Sequence, residues 1–311
     1  MRSRAEAHKT ALRVSADSPL INKNLRFLLM SFLFATGCTA PFFPALMPHP
    51  KEVVQLQNRV DLDETINVSI PNGFEENLVP VLESTLHTIN KIAKKQITFK
   101  YDTQQRALIN ISCDKPVSDI LDLAADESYE LDIQQGAIAI TAPECIGALR
   151  GLQTLIQLYI KNRSYGYFPG VTITDTPRFP WRGLLLDIAR HWQPLDNIKR
   201  NIDAMAYLKM NVLHLHLSDD QGFRVESKRH PLLHEKGSSQ KYYRQEEIKE
   251  IIEYAKQRGV YIVPEFDVPA HTTSWFVGYP QYASQPGPYS ISKKWGVHTP
   301  VFNPTIEATY S

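Results

Sequence analysis

The chain has 311 residues, a length that suggests about two domains. Apolar residues make up 43% and charged residues 22%, a balance that excludes a disordered chain. A formal net charge of +1 leaves no basic excess for nucleic acid and no acidic tail for a cationic partner.

Residues 1–50 read as a leader and linker. Lys23, Asn24 and Arg26 precede an apolar run over 27–36. That run is too short to span a bilayer as a helix, which needs about 20 residues. A positive flank, a short apolar stretch and small residues after it describe an export signal. Ala35-Thr36-Gly37-Cys38 resembles the lipobox of bacterial lipoproteins, in which the Cys receives the lipid, although Ala35 stands where Leu is preferred. The expectation is a protein exported to the periplasm or cell envelope and lipid-anchored through Cys38. Plain secretion with an incidental Cys is the alternative, and a cytosolic protein the third. The stretch before Lys23 is longer than usual, so translation can also begin later. Cys113 and Cys145 either pair in an oxidising compartment or stay as buried thiols. No CxxC or Cys/His spacing suggests a metal site. Asn67, Asn110 and Asn162 open sequons, which matter only in a host that glycosylates.

Residues 51–176 form one block. Strands are predicted over 66–70, 97–101, 108–112, 129–133 and 137–141, with a hairpin turn at 134–136. A helix over 78–94 carries Leu78, Leu82, Leu86, Ile89 and Ile92 on one face, and a second spans 145–160. Strands plus two helices make an α+β sandwich. The block has no cluster of His, Cys or carboxylates, so its expected role is structural.

At Pro177 the pattern changes. Apolar strands over 182–188, 211–217 and 260–266 alternate with helices over 195–209 and 245–258, the latter amphipathic and stopped by Gly259. Strands buried on both faces and joined through helices form a parallel sheet with right-handed crossovers. Polar residues gather at the same end of each strand: Asp187 and Arg190, then Asp219 and Asp220, then Asp267 and His271. Barrels and doubly wound sheets both place their sites there. No GxGxxG follows a strand, which leaves a dinucleotide site unsupported.

Three motifs then stand in order. They are Phe179-Pro-Trp-Arg-Gly-Leu-Leu-Leu-Asp-Ile-Ala-Arg-His191, Asn211-Val-Leu-His-Leu-His-Leu-Ser-Asp-Asp-Gln-Gly-Phe223 and Pro264-Glu-Phe-Asp-Val-Pro-Ala-His-Thr-Thr-Ser-Trp275. They resemble the first three barrel strands of glycoside hydrolase family 20, the β-N-acetylhexosaminidases. Residues 303–311 resemble the lead-in to the next helix, and Ala148-Leu-Arg-Gly-Leu-Gln-Thr-Leu155 extends the likeness into the first block. The resemblance implies an α/β fold: the start of a TIM (β/α)8 barrel, about three strands over 177–311, behind an α+β hexosaminidase domain over 51–176.

From the residues alone, Arg190 either forms a salt bridge to Asp187 or grips sugar hydroxyls with its forked guanidinium; the resemblance implies that it binds ring hydroxyls of the terminal sugar. Asp219 and His271 come from neighbouring strand ends. The family implies a catalytic relay in which Asp219 orients His271 against the acid/base Glu, while the residues alone also allow Asp219 to cap the following loop. Asp220 points the opposite way from Asp219 and reads as structural. Glu265 and Asp267 face the same side of one strand. This is too close for the two carboxylates of an ordinary retaining pair, so Asp267 takes a supporting, substrate-binding role and Glu265 a mainly structural one. His216 is expected to line the site and touch substrate, with His214 a core histidine as readily as a site residue. Trp275 either stacks on a sugar or packs.

The family's mechanism is substrate-assisted, with the 2-acetamido oxygen as nucleophile. Its general acid Glu and the preceding Asp belong to a fourth-strand motif, and no Asp-Glu pair follows the third strand here. Asp126-Glu127 lies in the first block and does not qualify. The expectation is a fragment of a hydrolase of terminal β-linked N-acetylhexosamines, inactive as 311 residues and exposing an open strand edge. It needs no metal or cofactor, and its partners are glycans ending in N-acetylglucosamine or N-acetylgalactosamine. A non-catalytic amino-sugar-binding remnant is the alternative, and the three motifs disfavour another barrel hydrolase of the amylase type. The preferred glycan and the oligomeric state are not legible.

Overall fold

The computed structural model describes residues 44–310 apart from 102–106 and 135. The expected export signal and Cys38 lie outside the described residues.

The first domain is built from β1 (Glu52–Asp61), β2 (Thr65–Ser69), α1 (Glu75–Ala93), β3 (Thr98–Tyr101), β4 (Ile109–Cys113), β5 (Tyr129–Gln134), β6 (Ala137–Ala142), α2 (Cys145–Leu158) and β7 (Tyr167–Asp175). Its seven strands form one sheet in the order β1-β7-β5-β6-β4-β2-β3, antiparallel on the β1 side and parallel from β6 to β3. Alternation sets the buried face: Tyr129, Leu131 and Ile133 of β5 point inward, as do Ile138 and Ile140 of β6. The apolar stripe of α1, including Leu78, Leu82 and Ile89, closes the same core.

Two strands of this sheet carry little sequence signal. β1 buries only Val60, so apolar and polar positions do not alternate along it. β7 holds Pro169-Gly170 at its middle, which reads as a break. Its bareness is used: a Cβ on Gly170 would stand 2.4 Å from Asn58 Oδ1, and the β1–β7 register shifts between Gln55 and Arg59. The core also begins before residue 51. Leu46 is buried in it, and the Gln157 side chain holds the Met47 backbone at both N–H (2.8 Å) and C=O (2.9 Å). Cys113 and Cys145 are disulfide-bonded, tying the end of β4 to the start of α2.

The second part comprises β8 (Gly183–Asp187), α3 (Leu195–Tyr207), β9 (Val212–Asp219), the two-residue β10 (Gly222–Phe223), α4 (Leu232–Gly237), α5 (Gln245–Lys256), β11 (Tyr261–Phe266) and the single turn α6 (Thr273–Phe276). β8, β9 and β11 are parallel and adjacent in chain order, with none of the order reversal that creates a doubly wound switch point. Leu184, Leu186, Leu213, Leu215 and Ile262 pack on Ile198 and Ile202 of α3 and Ile251 and Ala255 of α5. Of these three parallel strands, β9 alone is buried on both faces. β8 and β11 are half-exposed, against the expectation from their apolar runs, because each pairs with β9 alone among the described residues.

A buried charge cluster joins the two parts. Glu127, from the loop before β5, accepts Arg150 Nε of α2 at 2.6 Å, Asn211 Nδ2 at 3.0 Å and Arg182 Nη2. Arg150 also donates to the Gly259 carbonyl at 2.7 Å, and Lys209 donates to Asp175 and Tyr129. Burial disfavours charge on Glu127, but the two guanidiniums outweigh it and hold its carboxyl below the ordinary range. Removing one partner strands the others without water. Glu127→Gln is therefore expected to cost about 3–5 kcal/mol of stability in urea unfolding; a loss under about 1 kcal/mol would mean that the cluster does not hold the junction.

Candidate active site

β8 ends at Asp187, β9 at Asp219 and β11 at Phe266, so residues at these three carboxyl ends share one edge of the parallel sheet. Asp187 opens a tight turn in which its Oδ1 accepts the Arg190 N–H at 3.0 Å. The turn brings the guanidinium back over the strand end. Nη1 donates to Asp187 Oδ2 and Nη2 pairs with Asp219 Oδ2, both at 2.5 Å.

Asp219 and Asp220 enter the hairpin to β10, where Gly222 pairs with Asp219. Gly222 leaves room for Arg224, whose Cζ would lie 2.1 Å from a Cβ there. The buried Arg224 guanidinium donates to the carbonyls of Ile188, Ala189, Gln221, Ser238 and Lys241. It thereby ties the turn that carries Arg190 to the hairpin that carries Asp219. Burial pushes its pKa down to about 10.

Past β11, His271 adopts a left-handed backbone at φ 57°, a conformation that costs a non-glycine residue roughly 1 kcal/mol or more and tends to mark functional positions. Its neighbours hold it there. Asp220 Oδ1 accepts both the Thr273 N–H (3.0 Å) and its hydroxyl (2.6 Å), and Ser274 Oγ donates to the Asp219 carbonyl at 2.6 Å. His271 Nδ1 consequently lies 3.1 Å from Asp219 Oδ1.

Asp219 is the centre of the arrangement and is fully buried, with 0% exposure. Oδ2 meets Arg190 and His216 Nε2 (2.8 Å), and Oδ1 meets His271 and the Asp220 N–H (2.7 Å). Burial opposes its charge, yet the His216 and Asp220 hydrogen bonds and the Arg190 charge together lower its pKa. Arg190 and His271 keep part of their surface open. A cavity of about 230 Å³ opens beside Arg190, lined among others by His191, Gln221, Lys293 and Trp295. The exposed Trp295 ring centroid lies 5.6 Å from the guanidinium carbon.

The pattern described as glycosyl hydrolase family 20, catalytic domain, matches residues 179–311, and that described as family 20, domain 2, matches 43–176. The chain belongs to glycosyl hydrolase family 20. It is 36% identical over 282 residues to the human β-hexosaminidase subunit beta, covering 86% of this chain and 50% of that one. Rat β-hexosaminidase subunit alpha is 43% identical over 192 residues, 60% of this chain and 36% of its own. Among solved structures, Flavobacterium johnsoniae chitobiase superposes with a TM-score of 0.77 at 39% identity, covering 85% of this chain and 41% of that one. Streptomyces plicatus N-acetyl-β-hexosaminidase in complex with Thio-NAglucal gives 0.74 at 28% identity, covering 87% and 56%. The chain thus spans about half or less of the curated family 20 relatives it matches here.

Within this family 20 chain, Arg190, Asp219, His271, His216 and Asp267 do come together. His216, expected to line the site and touch substrate, lies at the site with its side chain turned to two carboxylates. Its ring is buried, and both nitrogens are taken, Nε2 by Asp219 and Nδ1 by Glu265 at 3.0 Å. Glu265 is more engaged than a structural reading foresaw, since it also accepts His214 Nε2 at 2.7 Å and is hydrogen-bonded to Asp267. Asp267 holds its proton more tightly than usual, through burial and that shared bond. Trp275 packs edge-on between Phe223 and Phe302. Arg224 and Trp295 escaped the sequence reading: a buried Arg bonded to carbonyls has no motif, and Trp295 sits in a long loop without periodicity. His216, Asp219 and Asp267, or Asp219, Asp220 and His271, each bring ligand-type atoms within 4.8 Å. Both trios share Asp219, where Arg190 already supplies the positive charge a metal would bring.

The charges set a pH window. The folded pKa of Asp219 lies below its ordinary 3.8, so its stabilisation is complete above that value and is lost as pH falls through the folded one. That of His216 is raised above 6.5 because, although burial opposes its charge, Asp219 and Glu265 favour it. Its share is complete below 6.5 and is lost as pH rises through the folded value. The stability gap between wild type and Asp219→Asn should be widest between about pH 4 and 6.5, as measured by thermal unfolding from about pH 3 to 9; a gap independent of pH would contradict this charge assignment.

Proposed function

We propose that this chain is the amino-terminal part of an exo-acting β-N-acetylhexosaminidase, a glycosidase that removes terminal N-acetylhexosamines from β-linked glycans. The observation that carries this reading is the buried Asp219 carboxylate, which joins Arg190 and His271 at the ends of neighbouring parallel strands. The sequential order of β8, β9 and β11 supports reading them as the first three strands of a (β/α)8 barrel.

Arg190 keeps donors of its fork beyond those spent on Asp187 and Asp219, and these bind ring hydroxyls of the terminal sugar. Asp219 fixes Arg190 and takes the Nδ1 proton of His271 as a hydrogen bond, which turns the opposite ring nitrogen toward the acid/base Glu. In the substrate-assisted reaction the acetamido oxygen of the sugar attacks its own anomeric carbon while that Glu protonates the leaving oxygen. No Asp-Glu pair lies between Asp267 and Ser311. Residues 1–311 therefore supply the sugar grip and the relay but not the proton donor. The acetamido nucleophile makes a cofactor unnecessary. The Cys113–Cys145 disulfide supports action outside the cytoplasm, in keeping with the export signal and lipidated Cys38 expected from the sequence. Among the described residues no helix is long and apolar enough to cross a membrane.

The test uses the complete reading frame and chromogenic N-acetyl-β-glucosaminide and galactosaminide substrates. The full enzyme should turn over at least one of them, and Arg190→Ala should lower kcat/KM by roughly 100-fold or more, the equivalent of about two charge-assisted hydrogen bonds. A polypeptide of residues 1–311 should show no turnover. Binding without cleavage by the complete protein would favour an amino-sugar-binding remnant instead, and hydrolysis by residues 1–311 would refute the division of labour proposed here.

A further inference from the structure

His216 lies buried on β9 between two carboxylates, with Nε2 2.8 Å from Asp219 Oδ2 and Nδ1 3.0 Å from Glu265 Oε2. An ionised carboxylate only accepts, so a ring held between two of them donates from both nitrogens, which only the imidazolium can do. Of the hydrogen-bonded pair Glu265 and Asp267, Glu265 is the one whose carboxyl is held below its ordinary range, against its burial, by its bond to Asp267 and by the facing His216, so it meets the ring as a carboxylate. The charged groups that face the ring are Asp219 and Glu265 in contact, Asp267 within 4.8 Å and Asp187 further off, with Arg190 on the same Asp219 oxygen and His214 on the same Glu265 oxygen.

The consequences fall on Asp219. Its Oδ2 is gripped from two directions, by Arg190 and by His216, and this double grip fixes the plane of the carboxylate. Its Oδ1 is then aimed at His271. With the His216 grip removed, the carboxylate can swing toward Arg190 and release His271. Since no nitrogen of His216 is left for a ligand, it acts through Asp219 rather than on the sugar.

We propose that His216 is a positioning residue of the reaction, pinning Asp219 between Arg190 and His271, and that Glu265 pins His216 from the other side. The kinetic readout rests on the function proposed above. His216→Phe in the complete enzyme keeps the ring volume and removes both donors. It should lower kcat/KM on the N-acetyl-β-glucosaminide by about 100-fold, the scale of an ångström of misplacement, mostly in kcat. The acid limb of the pH profile should move to higher pH, because Asp219 has lost one of its two cations. His216→Gln, which can still offer Asp219 one donor, should recover part of the loss. Glu265→Gln leaves the Asp219 contact in place and should cost about tenfold in kcat.

A folded His216→Phe enzyme within about threefold of wild type, with an unmoved acid limb, overturns the proposal. Where that variant does not fold, a Glu265→Gln enzyme with the kcat and pH profile of wild type overturns it equally. A wild-type enzyme inactive on amino sugars overturns the functional reading instead, and this proposal with it.

Discussion

A carboxylate removed entirely from water has to be met by donors on every side, and that requirement at Asp219 organises the second part of the molecule. Four donors converge on its two oxygens, from the turn after β8, from β9 itself, from the hairpin that follows it and from the loop after β11. Each comes from a segment that has its own reason to be where it is. The Asp187 turn aims Arg190, the hairpin at Gly222 presents the Asp220 amide, and Thr273 and Ser274 anchor the strained backbone of His271. Desolvation of an unpaired carboxylate would cost several kcal/mol. Asp219 is therefore both the most demanding group in this region and the one that makes the three strand ends a single unit.

The same logic recurs at the junction between the two parts, again around a buried carboxylate. There a lone buried carboxylate, Glu127, answers two guanidiniums, and Lys209 answers Asp175. Helix α2 makes this possible. All of its residues are buried, including Arg150, Gln153, Thr154 and Gln157. Such a helix has no solvent face, and its polar side chains reach instead to the backbone of Gly259, Met47 and Tyr207. A first domain without chemistry of its own thereby sets the position of Arg182 and Asn211, the residues from which β8 and β9 start.

Much of this was legible in the sequence, and the exceptions have physical causes. The helices α1, α3 and α5 and the strands β8, β9 and β11 declare themselves through periodicity and continuous apolar runs. β1 and β7 do not: one is an edge strand with little to bury, and the other carries a Pro-Gly whose usual meaning is a turn. At the site, the meeting of Arg190, Asp219 and His271 was foreseen from strand ends and from family likeness. The true partners of His216 were not, because strand alternation gives the face of a side chain but not which of several acids fills its hydrogen bonds. Arg224 was invisible for a related reason. Its partners are carbonyl oxygens, which every residue possesses, so no residue type marks them.

Gly259 illustrates how closely the two parts are written into one another. It ends α5 in the left-handed conformation at φ 64°, and its carbonyl receives Arg150. A Cβ at this position would stand 2.6 Å from Ile146 Cδ1 and 3.0 Å from Arg150 Nη1. A helix stop that any L-residue would strain is thus also the socket for the leading domain's helix. Drift at positions 146, 150 and 259 must be concerted in descendants of this sequence, and grafting the strand-and-helix segment beneath a foreign leading domain would require rebuilding that socket first.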